Sequence, residues 1–570
     1  MEHKDINSRL KIKNRIQTPF GGVRFTGGRL KTAFDNQISF LKRFDLDRMM
    51  YWYRDNAGED APGAPYGFHG GHFENNLHGQ TAGQFLWGAG CALIWQEDAV
   101  LRERLNAVIN ELERLCPDNG CLIPMKDEDI PTKEYPNYTR AWILFGLLSA
   151  GYAGNEKAFK LARRFGDWFN HCECLEYVKD LNLGFQGILA NTALYVSPVG
   201  VEEDLEVAQK YYREDYWLKW VHNGEHRAVY QHPGNHPHGT LLTSLEGYLD
   251  IYRATGEEYL LECIVSALEM YKDKWQHVGG GIVMCEFDNF YPGCNFLSPN
   301  HAYNELCITT FWMMLNYRMH LLYPDNEDYI NEIEKSMYNV LIAAQVDDIG
   351  IHYLALLEGC KDLRYADIAT CCAATGGRML AMLPMFMYSY DKDIVSVNMF
   401  GHTKADLPNG VSLNTISDMP YDGKVRIEIE KADAPFTLKI RIPAWCKGDV
   451  KIGENTYKAG TFAVIEGANA GDIFEFTLPF SFRTTLLTGA EVIPGKDRYA
   501  IEYGPLLLAA LGRGGVKVNI DINDVASCLK PVGKGVFRVT SDRSKTYMPY
   551  MDIVDEPLTV YPIINDNEIG

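Results

Sequence analysis

A recurring unit restricts the fold of this 570-residue chain more than any other feature. An apolar helix pattern is followed by a short polar break and then by a second, more charged amphipathic pattern. Residues 240–275 show it as TLLTSLEGYLDIYRATGEEYLLECIVSALEMYKDKW, with Gly256 as the helix stop. The unit recurs from Ala141-Trp142-Ile143 onward, broken at Gly154-Asn155. It recurs again over 311–345, broken at Pro324-Asp325-Asn326, and once more over 85–115. Repeated helix pairs make either a solenoid or a closed toroid. An apolar first helix rich in small and aromatic residues suits an inner ring, and a charged second helix suits an outer one. Between pairs run long segments such as APGAPYGFHGGHFENN and YQHPGNHPHG, whose Gly, Pro, His and aromatic content suits the lining of a pocket. The expected fold class is mainly α, an (α/α) toroid with its pocket at one mouth.

After about Tyr390 the pattern changes. DIVSVNMF, KVRIEIEKA, FTLKIRIPAW, IFEFTLPF and RYAIEYGPLLL are short, β-branched and alternating. They predict an antiparallel β-sandwich. With a length beyond one hydrophobic core, this gives two domains, 1–390 helical and 391–570 sandwich. The last residues carry weaker signals, and sheet or wrapping tail both stay open. The net charge of -20 argues against nucleic acid and anionic membrane as partners. No apolar run is long enough to span a membrane, and the start MEHKDINSRLKIKN lacks an apolar stretch behind its basic residues, so a cytoplasmic location is expected.

In that setting the 14 cysteines read as buried hydrophobes, metal ligands or catalytic groups rather than disulfides. Cys91, Cys116 and Cys263 sit at apolar helical positions and read as core. The Met-rich run MLAMLPMFMYSY reads the same way. Two motifs stand apart. Glu305-Leu306-Cys307 opens a helix after the turn-like Ser298-Pro299-Asn300-His301, and Cys371-Cys372 precedes Ala-Ala-Thr-Gly-Gly. Three thiolates and one carboxylate make a full tetrahedral set for zinc. A pair of buried thiols, or a redox-sensitive vicinal disulfide, would use the same residues. Glu286 follows Gly279-Gly280-Gly281 and stands near Met284 and Phe287. An apolar setting would raise its pKa and suit an acid; a solvated loop would not. His69, His72, Phe73 and His78 suit a pocket rim or a structural loop, and no carboxylate spacing supports a second metal there.

Taken in order, these residues resemble glycoside hydrolase family 127, the retaining β-L-arabinofuranosidases. The resemblance covers nearly the whole chain. It rests on the Gly-Gly…Glu-Phe segment at 280–287, Glu-x-Cys at 305–307, the Tyr-Asn…Ala…Gln helix at 338–345 and Cys-Cys…Thr-Gly at 371–376. Arg441-Ile442-Pro443-Ala444-Trp445-Cys446 and Tyr503-Gly504-Pro505-Leu506 add to it. The resemblance implies an (α/α)6 barrel followed by β-sandwich elements. It implies zinc held by Glu305, Cys307, Cys371 and Cys372, with Cys371 as nucleophile and Glu286 as general acid/base. It implies sugar contacts from His238 and Tyr353, an oligosaccharide or glycoside substrate, and exo action; it allows a homodimer.

The chain departs from the family pattern where Trp142 stands in place of a sugar-contacting His and Phe85 in place of a Trp, with Trp87 close by. The segment between Glu286 and Glu305 is longer and contains Cys294; the one before Cys371 is shorter. These changes bear on the identity of the sugar. Arg140, beside Trp142, reads as a helix-surface charge, but could instead meet a carboxylate on a sugar such as aceric acid. A non-catalytic zinc protein that binds sugar, or another toroid enzyme such as a lyase or epimerase, are the competing readings. Glu286 and the Cys pair discriminate against them.

Overall fold

The computed structural model describes residues 9–66, 78–126, 128–130, 138–172, 185–212, 217–231, 239–284, 303–354, 356–361, 370–488, 492–512 and 516–566. A helical N-terminal region is followed by a β-rich C-terminal region. The main helices are α1 (Gly28–Leu41), α2 (Leu46–Asn56), α3 (Gln80–Trp95), α4 (Ala99–Leu115), α5 (Tyr138–Tyr152), α6 (Glu156–Asn170), α7 (Phe185–Tyr195) and α8 (Glu202–Gln209). After these come α9 (Gly239–Thr255), α10 (Glu258–Lys274), α11 (Leu306–Leu322), α12 (Asp328–Ser336) and α13 (Cys371–Ala381).

The pairs alternate as the sequence predicts. α3 is buried along nearly its whole length, while its partner α4 buries only the face of Leu101, Leu105, Val108, Ile109 and Leu112. Polar caps start the outer helices: the Asp98 and Asn155 side chains accept from the Leu101 and Ala158 amides. α3 and α5 approach backbone to backbone. A methyl at Gly83 would stand 2.5 Å from the Trp142 carbonyl oxygen, so only glycine permits this spacing.

The β-rich region holds two sheets of a sandwich, a small hairpin of Val450–Ile452 with Asn455–Tyr457, and a further large sheet. Strand β1 (Val23–Gly27) precedes the helices. Then follow β2 (Tyr388–Tyr390), β3 (Ile394–Val397), β4 (His402–Asp406), β5 (Ser412–Ile416), β6 (Lys424–Lys431), β7 (Phe436–Ile442), β8 (Thr461–Ala468) and β9 (Ile473–Thr477). One sheet runs β1-β4-β5-β6-β9, the other β8-β7-β3-β2. The first takes its edge strand from the far N-terminal side of the helices, with Val23 opposite Ala405. The second contains a parallel pair, β3 with β7, where only antiparallel pairing was expected. The eight strands described beyond residue 480, among them Phe482–Leu486, Lys496–Tyr503, Leu506–Leu511 and Ile563–Asp566, form a nine-stranded sheet with Glu358–Gly359 of the helical region, so the described residues end in sheet.

Buried polar contacts tie the sheets to the helices. Arg441 of β7 is fully buried; its Nε donates to Glu327 Oε1 at 2.6 Å and its Nη2 to Glu334 Oε2 at 3.1 Å. The Trp445 indole also donates to Glu334, at 2.7 Å. After α12 the chain continues as a π-helical turn, Met337–Ile342. From it Asn339 donates to the Pro505 carbonyl and accepts from the Leu507 amide, as a neighbouring strand would. The Lys361 ammonium donates to the carbonyls of Ala343, Tyr550 and Ile553. One apolar core runs through both regions. Cys91 and Cys263 belong to it; Cys116 corrects the sequence reading, being half-buried at the C-terminal end of α4. No described helix is long and apolar enough to cross a membrane.

Candidate metal centre and nucleophile

Two helix starts meet within the helical region. Glu305 is the residue that caps α11, and Cys307 lies in its first turn. Cys371 and Cys372 are the first two residues of α13. Thr370 fixes that start, its hydroxyl accepting from the Ala373 amide at 3.0 Å. The backbone of three of these four residues is held in turn: the hydroxyls of Thr309, Thr310 and Thr375 donate to the carbonyls of Glu305, Cys307 and Cys371. Glu305 also bridges to Leu354, and the Leu306 amide donates to the Tyr353 carbonyl. Both helices direct their positive ends at the sulfurs, which favours thiolate.

The donor atoms of Glu305, Cys307, Cys371 and Cys372 all lie within 4.8 Å of one another. Cys307 and Cys372 Sγ are 3.3 Å apart, and Glu305 Oε1 is 3.6 Å from Cys372 Sγ and 3.8 Å from Cys371 Sγ. The edge of a tetrahedron built on zinc–sulfur bonds of about 2.3 Å is about 3.8 Å. The donor set therefore fits a small, thiophilic divalent cation. Its electrostatics fit as well. Burial pushes the Cys307 and Cys372 thiols well above their ordinary range, and Cys371 beside them pushes both further. A bound cation reverses that by favouring the thiolates. Glu305, Cys307 and Cys372 are buried, whereas Cys371 is partly open. The Tyr353 hydroxyl lies 3.7 Å from Cys371 Sγ.

Of the other residues singled out in the sequence, Trp142 is buried on α5 with its ring 5.3 Å from Trp87. Trp87 in turn carries the Arg378 guanidinium of α13 at 4.1 Å. Phe85 is buried on α3 against Phe44, ring centres 5.5 Å apart. Arg140 corrects the reading of a surface charge: it is buried, with its guanidinium 4.4 Å over the Phe169 ring. His78 stacks on Trp52 at 3.7 Å. Glu286, His238, His69, His72, Phe73 and Cys294 lie outside the described residues. Sequence reasoning missed Thr370, and it noted Gly376 only as part of the Cys-Cys…Thr-Gly motif. The first carried a signal, a Thr one residue before a helix start. A methyl on the second would stand 2.5 Å from Leu306 Cδ2, so α13 and the start of α11 touch through it.

The profile of the GH127 β-L-arabinofuranosidase catalytic domain matches residues 22–385. The chain belongs to glycoside hydrolase family 127. A second profile, the GH127 middle domain, matches residues 394–480 of this family 127 chain. No curated protein sequence matches it significantly. Among solved structures, a GH127 β-arabinofuranosidase is similar at 17% identity and a TM-score of 0.74, over 97% of this chain and 98% of that one. A GH127 β-L-arabinofuranosidase from Geobacillus stearothermophilus T6 is similar at 16% identity and 0.72, over 95% and 100%. A third, described as a glycoside hydrolase, is similar at 16% and 0.68, over 98% and 99%. The family 127 chain is thus a glycoside hydrolase acting on a carbohydrate, and its four-residue cluster lies within the catalytic-domain match.

Proposed function

We propose that this enzyme is a retaining exo-glycosidase that releases a terminal β-L-arabinofuranose, with Cys371 as nucleophile and Glu286 as acid/base. The observation that carries the reading is the asymmetry of the cluster: of four converging donors, only the first cysteine of the pair is partly open. A ligand that must also react needs that access, whereas purely structural ligands do not. Zinc is the metal this donor set suits, and bound there it would keep the sulfurs as thiolates at neutral pH.

The Cys371 sulfur attacks the anomeric carbon as the bond to the leaving oxygen breaks, and Glu286 gives that oxygen its proton. The sugar is then held as a thioglycoside. Glu286 takes a proton from water, whose oxygen displaces the sulfur, and two inversions give net retention. Tyr353, close to the sulfur, is positioned to donate to it or to a sugar oxygen. His238, Trp142 and Phe85 complete the proposed sugar contacts. The helices are proposed to close as an (α/α)6 barrel over residues 1–390, with the sandwich elements over 391–570. The acidic alternative, aceric acid, rested on Arg140; a guanidinium buried over Phe169 favours the neutral sugar.

The test is bound zinc together with p-nitrophenol release from p-nitrophenyl β-L-arabinofuranoside, for wild type, Cys371→Ser and Glu286→Gln. Zinc with activity lost in both variants supports mechanism and sugar together. Zinc without wild-type activity discards this sugar, and no zinc in carefully reduced protein discards the mechanism.

A further inference from the structure

Tyr353 stands beside Cys371 on a loop whose two ends are joined by one side chain. The loop leaves the π-helical turn at Ala343 and returns at Lys361. Its first arm is a small hairpin, Gln345–Val346 against Gly350–Ile351, and the His352 amide then donates to the Ala344 carbonyl. Its middle meets the cysteine cluster. There the Tyr353 hydroxyl lies 3.7 Å from Cys371 Sγ, the Tyr353 carbonyl accepts from the Leu306 amide, and Leu354 bridges to Glu305. Its return arm is held by the C-terminal region. The Leu356 carbonyl accepts from the Tyr550 hydroxyl at 2.9 Å and the Leu357 carbonyl from the Val560 amide at 2.8 Å, and Glu358–Gly359 pairs with Leu558–Thr559.

The base of the loop is closed by Lys361, which is 4% exposed. Its ammonium donates at 2.7 Å to the Ala343 carbonyl, where the loop begins, and to the carbonyls of Tyr550 and Ile553 in the C-terminal turn. An ammonium has three protons to give, and three carbonyls take them. The Tyr550 ring lies 4.5 Å from the charge and adds its own attraction. One atom thus joins three stretches of backbone: the start of the loop, its end, and the turn against which its return arm packs. Without that charge the two ends of the loop lose their direct link, and the arm that leads back to Tyr353 keeps only its edge contacts.

We propose that Lys361 is a positioning residue for the reaction: by closing the loop from 343 to 361 it holds the Tyr353 hydroxyl against the Cys371 sulfur. The proposal rests on the reading of Cys371 as nucleophile. A lysine that only stabilised the fold would lower Tm and leave the turnover of folded enzyme alone. One that positions Tyr353 lowers kcat more than it raises KM, because the hydroxyl acts on the sulfur as that atom reacts. Its effect also passes through Tyr353 and disappears when the hydroxyl is already gone.

The test is a double-mutant cycle on the full-length protein: wild type, Lys361→Met, Tyr353→Phe and the two together, with kcat and KM on p-nitrophenyl β-L-arabinofuranoside. Lys361→Met is expected to lower kcat by up to about 10²-fold. In the Tyr353→Phe background the same change is expected to lower kcat by less than about 2-fold. A readout that needs no sugar is the rate at which iodoacetamide alkylates Cys371, followed by peptide mapping. It is expected to rise in Lys361→Met and in Tyr353→Phe as the sulfur is uncovered, and no further in the double variant. Losses that multiply in the double variant, wild-type kcat in Lys361→Met, or an alkylation rate that only Tyr353→Phe alters overturn the proposal. If Lys361→Met does not fold, Tyr550→Phe, which removes only the hydroxyl on the Leu356 carbonyl, takes its place in both arms, and wild-type values there overturn the proposal equally. Cys371→Ser separates the two readings: activity that survives in it overturns the nucleophile, whereas activity lost in it but intact in Lys361→Met overturns the positioning role alone.

Discussion

Replacing Gly376 by alanine perturbs the centre without touching a ligand. The new methyl would sit 2.5 Å from Leu306 Cδ2, with Leu306 Cγ and Ile351 Cδ1 each at 3.3 Å. Carbon atoms in good contact are about 3.5–4.0 Å apart, so about 1 Å must be absorbed. Leu306 is buried and hemmed in, so the movement falls on the spacing between α13 and the start of α11. That is the spacing between the Cys371-Cys372 pair and Glu305 with Cys307. Overpacking of this kind costs about 1–3 kcal/mol, and alanine for glycine inside a helix returns about 1 kcal/mol. The net loss is about 0–2 kcal/mol, which for a chain of this length lowers Tm by no more than about 2 °C. Activity should suffer more, since a misplacement of about 1 Å at a reacting group costs about 10²-fold. Calorimetry on Gly376→Ala should therefore show a nearly native transition, with kcat/KM on an arabinofuranoside down about 10²-fold and metal per chain reduced. Unchanged kcat/KM and full metal content in the folded variant would refute the claim that this contact sets the geometry of the centre.

Arg441→Met should leave Glu327 and Glu334 buried without their cation and lower the unfolding free energy by about 3–5 kcal/mol in a denaturant titration. The triple variant Arg441→Met, Glu327→Gln, Glu334→Gln should recover part of the loss, and a single variant as stable as wild type would refute the pairing. Burial pushes both His277 and His320 down to about 3, first by lost hydration and then by nearby cations. The unfolded chain takes up these protons near pH 6.5 and the folded one only near pH 3. Between those values the unfolded state binds more protons, so stability rises with pH and is lost on acidification, by about 1.4 kcal/mol per pH unit for each ring. His320→Gln should remove one such increment from the slope measured between roughly pH 4 and 6; an unaltered slope would show that His320 titrates normally.

Much of this was legible in the chain itself because each signal was local. Gly154-Asn155, Gly256 and Pro324 fall where the helices of three pairs part. The change of period near Tyr390 falls at the first strands of the sandwich after α13. Glu305 and Cys307 were legible as Glu-x-Cys at a helix start, and Cys371-Cys372 as an adjacent pair of thiols, whereas their place in the first turn of α13 was not. Other features depend on distant partners and left no local trace. Val23–Gly27 lies outside the repeating helix pairs and was not read as a strand; its pairing with His402–Asp406 makes it one. The parallel pairing of Ile394–Val397 with Phe436–Ile442 has no periodic signature of its own. Arg140 looked like a surface charge because a helix pattern cannot announce that Phe169 will cover it.

The way Asn339, Lys361 and Glu334 are satisfied has a consequence for anyone who would cut this chain. Each of these helical-region side chains finds partners only after residue 390 or in both halves: Asn339 at Pro505 and Leu507, Lys361 at Tyr550 and Ile553, Glu334 at Arg441 and Trp445. A fragment ending at the last helix would leave an amide, an ammonium and a carboxylate without these partners. The strands are thus not an accessory carried behind a self-sufficient catalytic unit. They act as the other half of its solvent shield, and shortening the enzyme for engineering would have to begin by rewriting those contacts.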